Sequence, residues 1–420
     1  MVDPPQDRDQ PQAPWITLVC LIFLSILSQG CASVRTRHPV PAHLLKESNI
    51  AGMSGVRDWG DAFSPILHRS AVESVRQELN ALPSKSPDSL SKESIEILAL
   101  SGGGADGAFG AGLLCGWTVY GNRPRFKLVT GISTGALIAP FAFLGPEYDA
   151  KLKKIYTTVS TKNIFRPKSL FKILGTDSLG DTQPLAELAA RYVDEKMIQA
   201  IAAEHAKGRR LWIGTTQLDA QRLMIWDIGA IASSGHSQAL ELFRQILIAS
   251  AAIPVMFPPV YITVEAGGKR YDEMHVDGGT TAQVFAYGFI IHPFAVSAEA
   301  RVRQSPRSKN LYIIRNSKIK PVWSHVKPRL KAIAKRSIST LIKYQGIGDL
   351  YRLYTIALRD GLDYNLAYIP EDFNVDPNEE FDRDYMNQLF ALGYHLACQG
   401  YPWKKHPPGF KTFTKPKADR

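Results

Sequence analysis

Three short segments of this 420-residue chain combine residue types that can do chemistry at the spacing it needs. Gly131-Ile132-Ser133-Thr134-Gly135 is a Gly-x-Ser-x-Gly motif. A serine hydroxyl becomes a useful nucleophile on a strained, sharp strand-to-helix turn, where flanking glycines let neighbouring backbone come close. Ser101-Gly102-Gly103-Gly104-Ala105-Asp106-Gly107 offers consecutive amides with no side chain in front of them, the donor set that holds a developing oxyanion. Asp277-Gly278-Gly279 puts a carboxylate on a tight turn, from which it can take a proton. Nucleophile, amide donors and base together describe acyl transfer through a covalent intermediate. An ordinary carboxylate, with a pKa near about 3.9, is a weak base for a hydroxyl, so partial burial is expected to raise it.

Each segment also has a plainer reading. Ser133 fits an ordinary strand-to-helix turn and Asp277 an ordinary capping residue. The glycine run satisfies Gly-x-Gly-x-x-Gly, but a dinucleotide site needs an acidic residue about 20 positions on. None occurs between Asp106 and Glu147. A Ser/His/Asp triad would draw on ten histidines. His275 stands two residues before Asp277, whereas the order Ser, acid, His points to His292 or His325.

The elements that must carry these residues are legible in the hydrophobic pattern. Ile95 to Leu100 reads as a buried strand, followed by the glycine run and an apolar helix over Ala108 to Tyr120. A second strand over Phe126 to Thr130 leads to the serine turn and a helix from Ala136, in which Pro140 is expected to cause a kink. Further strands are expected at Leu211 to Thr216, Leu223 to Asp227, Val260 to Val264, Tyr271 to Val276 and Leu311 to Arg315. This order gives an α/β fold in three layers, a mainly parallel central sheet flanked by helices. Apolar residues make up 45% and charged residues 21%, enough for a large core and too little charge for a disordered polymer.

Outside that region, Trp15 to Leu27 is an apolar stretch too short to span a bilayer and reads as the core of a signal peptide over residues 1–30. The following Leu27-Ser28-Gln29-Gly30-Cys31 resembles a lipoprotein box, which makes Cys31 the expected lipidation site. Ala32 after it, with no Asp to signal inner-membrane retention, is similar to lipoproteins sorted to the outer membrane and facing the periplasm. Residues 31–94 read as a tether and extension with one helix over Ala71 to Leu82, 95–316 as the catalytic domain and 317–420 as a basic, mainly helical region. Residues 301–345 hold 13 Lys and Arg and no Asp or Glu, more than the net charge of the whole chain, +11. Leu330, Ile333, Ile338, Leu341 and Ile342 recur there at helical spacing among Lys331, Lys335, Arg336 and Lys343. The basic segment therefore has an anionic membrane surface as its expected partner, and no nucleic acid.

The blocks SGGGADG, GISTG and DGG, in this order, resemble the patatin-like phospholipases. Ala249-Ser250-Ala251-Ala252-Ile253-Pro254 with Phe257-Pro258-Pro259 is similar to a fourth block of that family. The resemblance implies a lipid acyl hydrolase with a Ser/Asp dyad, acting on phospholipid or another ester lipid without metal or cofactor. Carried over residue by residue, it implies Ser133 as nucleophile, Asp277 as general base and the amides of Gly102, Gly103 and Gly104 as oxyanion hole. Gly107, Gly131, Gly135, Gly278 and Gly279 complete the motifs. One position departs, because the family usually has Arg or Lys where this chain has Asp106. The alternative is an envelope lipoprotein that keeps the fold for binding.

Overall fold

The computed structural model describes residues 37–81, 94–167, 178, 180–300 and 307–410. Cys31, the segment 1–30 and the first six residues of the basic segment lie outside the described residues. A nine-stranded sheet forms the centre of what is described. Its strands are β1 (Arg57–Trp59), β2 (Ile95–Leu100), β3 (Leu128–Ile132), β4 (Arg210–Gln217), β5 (Arg222–Asp227), β6 (Val260–Ala266), β7 (Lys269–Asp277), β8 (Lys309–Arg315) and β9 (Asp363–Tyr368). The principal helices are α1 (Pro65–Ala81), α2 (Gly107–Tyr120), α3 (Thr134–Leu144), α4 (Ala239–Ser250), α5 (Leu330–Asp360) and α6 (Arg383–Cys398).

Strands β9, β8, β2, β3 and β4 run parallel in that order. Both β5 and β7 pair with β4 antiparallel; β1 continues from β5 and β6 from β7. Strands β2, β3 and β4 are buried almost throughout, as strands covered on both faces must be. One core includes Phe109, Ile138, Phe243 and Phe390 from α2, α3, α4 and α6. The other includes Leu67, Phe285, Leu353 and Ile356 from α1, the 282–300 segment and α5. The mainly parallel sheet with helices on its faces is the architecture expected.

Differences are local and have physical reasons. Helix α1 starts at Pro65, six residues earlier than the apolar pattern indicates, because Ser64 Oγ accepts the Leu67 N–H (3.0 Å) and proline suits the first helical turn. Helix α3 begins at Thr134 and continues through Pro140 to Leu144. Strand β3 is displaced two residues toward the serine, so it runs directly into the turn. The sheet continues past Arg315 into β9, which pairs with β8.

The described part of the N-terminal extension is stitched to the β6–β7 hairpin. Arg37 bridges Asp219 (2.6 Å) and Asp272 (3.1 Å), and the His38 N–H donates to Asp272 (2.8 Å). Arg57 forms a buried bidentate pair with Glu273, whose other partners are Ser48 (2.9 Å) and His275 (3.1 Å). Burial opposes ionisation of Glu273, but Arg57 and His275 outweigh it and hold the carboxyl below the usual range. Such a network fixes register, and register matters here because a slip of one residue would turn Asp277 to the other face.

Candidate active site

Ser133 occupies the turn between β3 and α3 with φ 53° and ψ −125°, a conformation that costs a side-chain-bearing residue of order 1–3 kcal/mol. The surroundings hold it there. The Ser133 N–H donates to Ser250 Oγ (3.0 Å), and the Ser250 hydroxyl donates in turn to the Gly214 carbonyl on β4 (2.7 Å). The turn closes only with glycine beside it. A Cβ on Gly135 would lie 2.4 Å from the Leu100 carbonyl oxygen, and one on Gly131 would lie 2.5 Å from the Gly135 oxygen.

Asp277 is the last residue of β7, opposite Thr215 of β4. Its N–H donates to Ala252 O (2.9 Å), and its Oδ1 accepts the Gly279 N–H (2.6 Å). Burial pushes its carboxyl up to about 7, although hydrogen bonds from Ser133 and the Gly279 amide pull the other way. The sheet thus brings two residues 144 positions apart in sequence into contact, one from each of two strands paired with β4. A buried carboxylate with a pKa near neutrality, beside a serine on a strained turn, is equipped to take a proton at ordinary pH.

The glycine run lies between β2 and α2. Gly102 is a correction to the expected donor set, because its N–H is spent on the Gln283 carbonyl (3.0 Å). The amides of Gly103 and Gly104 have no protein partner among the described residues, and Gly103 is exposed. Asn316, immediately after β8, holds the run from behind. Its N–H donates to Ser101 Oγ (2.8 Å), its Nδ2 to Ser101 O (2.9 Å), and its Oδ1 accepts the Gly110 N–H (3.2 Å). Gln283 joins three parts of the site: besides accepting from Gly102, it donates through Nε2 to Gly279 O (2.8 Å) and through its N–H to Asp349 of α5 (2.7 Å).

Asp106 does not stand free beside the glycine amides. Its Oδ1 accepts the Tyr385 hydroxyl of α6 (2.6 Å). Burial raises its pKa to about 6, while Tyr385 and Lys318 oppose the rise. The three candidate histidines are elsewhere engaged or exposed. His275 is fully buried with Nε2 on Glu273 (3.1 Å) and Nδ1 on Thr215 (3.0 Å), His292 stacks on Phe63 at 4.6 Å, and His325 is exposed. Neither His275 nitrogen is available to Ser133.

Ser250, Asn316 and Gln283 are the site residues that sequence reasoning did not single out. Ser250 lies inside the recognised AlaSerAlaAlaIlePro block. Asn316 and Gln283 follow a strand end and the Asp277 turn, but nothing in their spacing announces a role.

An α/β sheet with a serine elbow, a carboxylate partner and a glycine-rich amide loop defines the class, and comparison with known proteins agrees with it. Residues 98–290 match the family model of the patatin-like phospholipases, so the chain contains a patatin-like phospholipase domain. Hydrolysis of lipid acyl esters is the general reaction of that family. None of the curated proteins matches the chain. Among solved structures it is similar to VipD from Legionella pneumophila, with 12% identity and a TM-score of 0.36, over 73% of this chain and 66% of that one.

Proposed function

We propose that the chain is a lipid acyl hydrolase of the phospholipase A or lysophospholipase type, working through a Ser133/Asp277 dyad at a bacterial envelope membrane. The observation that carries this reading is the placement, by two strands paired with β4, of a serine on a strained turn and a buried carboxyl raised to about 7 on which that serine acts. Ser133 Oγ attacks the ester carbonyl carbon while its proton passes to Asp277. The carbonyl oxygen takes the negative charge and is held by the Gly103 and Gly104 amides. Collapse breaks the bond to the alcohol, which leaves with the proton from Asp277. Water then attacks the acyl-enzyme, gives a proton to Asp277, and the fatty acid departs as Ser133 recovers its hydrogen.

Fluorophosphonate labelling and hydrolysis of a short p-nitrophenyl ester test this. Wild-type protein should be labelled and active, and Ser133→Ala should be neither. Label or turnover that survives in Ser133→Ala would assign the nucleophile elsewhere.

The envelope location rests on the apolar segment 15–27 and on Cys31 after a small residue. An alkyne fatty acid fed to cells should mark the wild type and leave Cys31→Ser unmarked; equal labelling of the two would remove Cys31 as the anchor. The basic segment 301–345 supplies electrostatic attraction to anionic lipid, about 1 kcal/mol for each Lys or Arg that reaches the surface.

A further inference from the structure

The first half of α5 leaves in solvent the apolar side chains that a helix packed on a soluble protein would bury. Such a helix turns its apolar stripe to the core and its charges to water. Here apolar side chains stay in solvent while two of the cations, though not the exposed Lys335, bond to the chain just before the helix. Arg336 and Lys343, seven residues apart and so on one face, donate to the carbonyls of Val322 and Lys320 in the segment before the helix. Ile338, Leu341 and Ile342, on the other side, face solvent, flanked by Leu330 and Ile333. Leu330 is 87% exposed and Leu341 70%, and Trp323 in the preceding segment is 87% exposed. The second half of the same helix behaves normally, with Leu350, Leu353 and Ile356 in the core. An exposed apolar surface of this extent marks a contact with something else.

Its place in the fold and its charge indicate what that is. Gln345 donates to the Thr280 carbonyl (3.5 Å), three residues beyond Asp277. Ten residues earlier, Lys335 pairs with Glu380 (2.8 Å) across a cleft of about 420 Å³ that Thr161 and Phe165 also line. Phe165 packs on Phe257, whose N–H is bonded to Ile253, next to the Ala252 that holds Asp277. The projecting part of the helix therefore starts from the turn that follows Asp277 and leads away past that cleft. Residues 301–345 hold 13 Lys and Arg and no Asp or Glu, and although Glu371 and Glu380 engage Lys320 and Lys335, the excess of cations favours an anionic surface over a second copy of the same face.

We propose that residues 330–344 together with Trp323 penetrate an anionic bilayer, lying at the boundary between headgroups and acyl chains. The helix would lie flat over about 20 Å, at about 1.5 Å per residue, with its apolar side in the acyl region and its cations among the headgroups. That the ester reaches Ser133 from this bilayer rests on the function proposed above; the penetration itself does not.

The test uses the full chain carrying Ser133→Ala, so that no lipid is consumed, and vesicles of phosphatidylglycerol and phosphatidylcholine with brominated acyl chains. Any anchor at the N-terminus holds every variant alike, so the readout is Trp323 itself, isolated by subtracting the spectrum of Ser133→Ala/Trp323→Phe. Trp323 emission should shift to the blue and be quenched by bromine, less so on phosphatidylcholine alone. Adding Ile338→Glu and Leu341→Glu should return the quenching to near the level seen without bromine, at an unchanged thermal transition, since both side chains are exposed. Unquenched Trp323, quenching indifferent to the two glutamates, or a lipid-free dimer in which Trp323 is already shifted to the blue would each overturn the proposal. Since Ser133 is replaced throughout, such a failure leaves the hydrolase reading to its own test.

Discussion

Asp277→Asn is expected to lower turnover of a soluble ester by about 100- to 10,000-fold, the range for loss of a general base. The amide is nearly isosteric, and its oxygen can still accept the Gly279 N–H, so the turn should keep its shape while losing the ability to take a proton. The wild-type rate should rise with pH through about 7, where the buried carboxyl ionises, and this limb should disappear in the variant. Stability should move the other way. The pKa of Asp277 is raised in the fold, so the native state retains a proton that the unfolded chain gives up near the ordinary carboxylate pKa. Its contribution to stability is complete below that ordinary value and is lost as pH rises toward about 7, after which the fold carries a buried charge. Asp277→Asn should therefore raise the thermal transition at pH 8 and change it little at pH 4. A variant both inactive and destabilised at pH 8 would mean that Asp277 holds the structure rather than the proton. His275→Ala, His292→Ala and His325→Ala should retain activity where folded, and loss of turnover at unchanged stability in any of them would restore a triad.

The chemistry of this site is legible in sequence because it is concentrated at strand ends. Two of the three glycine-bearing turns follow an apolar run, so the run announces the strand and the glycines announce what the turn must do, while the third follows the polar strand that ends at Asp277. What holds the turns together is not legible in the same way. Ser133 depends on Ser250, Gly102 on Gln283 and Ser101 on Asn316, contacts that span 117, 181 and 215 residues and follow only from strand order. Strand β1 has three residues, and its pairing with β5 and the buried Arg57–Glu273 pair arise from tertiary packing that no local pattern encodes. The periodicity of 330–345 marks a helix correctly, but periodicity says only that two faces differ. That the apolar one is exposed depends on Arg336 and Lys343 finding carbonyls at 322 and 320.

Gly103→Ala should cost about 100- to 1,000-fold in turnover, the loss that follows removal of one oxyanion donor. The reason is a specific collision. A Cβ at this position would sit 2.1 Å from the backbone oxygen of Asn316 and 2.7 Å from its Cβ, and Asn316 cannot retreat. Its main-chain N–H, side-chain amide and side-chain oxygen are bonded to Ser101 and Gly110, and Ser101 is itself joined to Ile314 of β8 (3.0 Å). The glycine loop must move instead, carrying the Gly103 and Gly104 amides away from Ser133. Gly103 is exposed, so the displacement has room and the thermal transition should shift little. Gly104→Ala is the control. Nothing lies within 4 Å of the position its Cβ would take, and its positive φ of 57° adds only about 1–2 kcal/mol of backbone strain. Fluorophosphonate labelling should slow in Gly103→Ala, since the phosphoryl oxygen uses the same donors, and remain near wild type in Gly104→Ala. Full activity in Gly103→Ala would show that the oxyanion is held by other donors, whereas equal losses in the two variants would point to a loosened loop in place of a displaced amide.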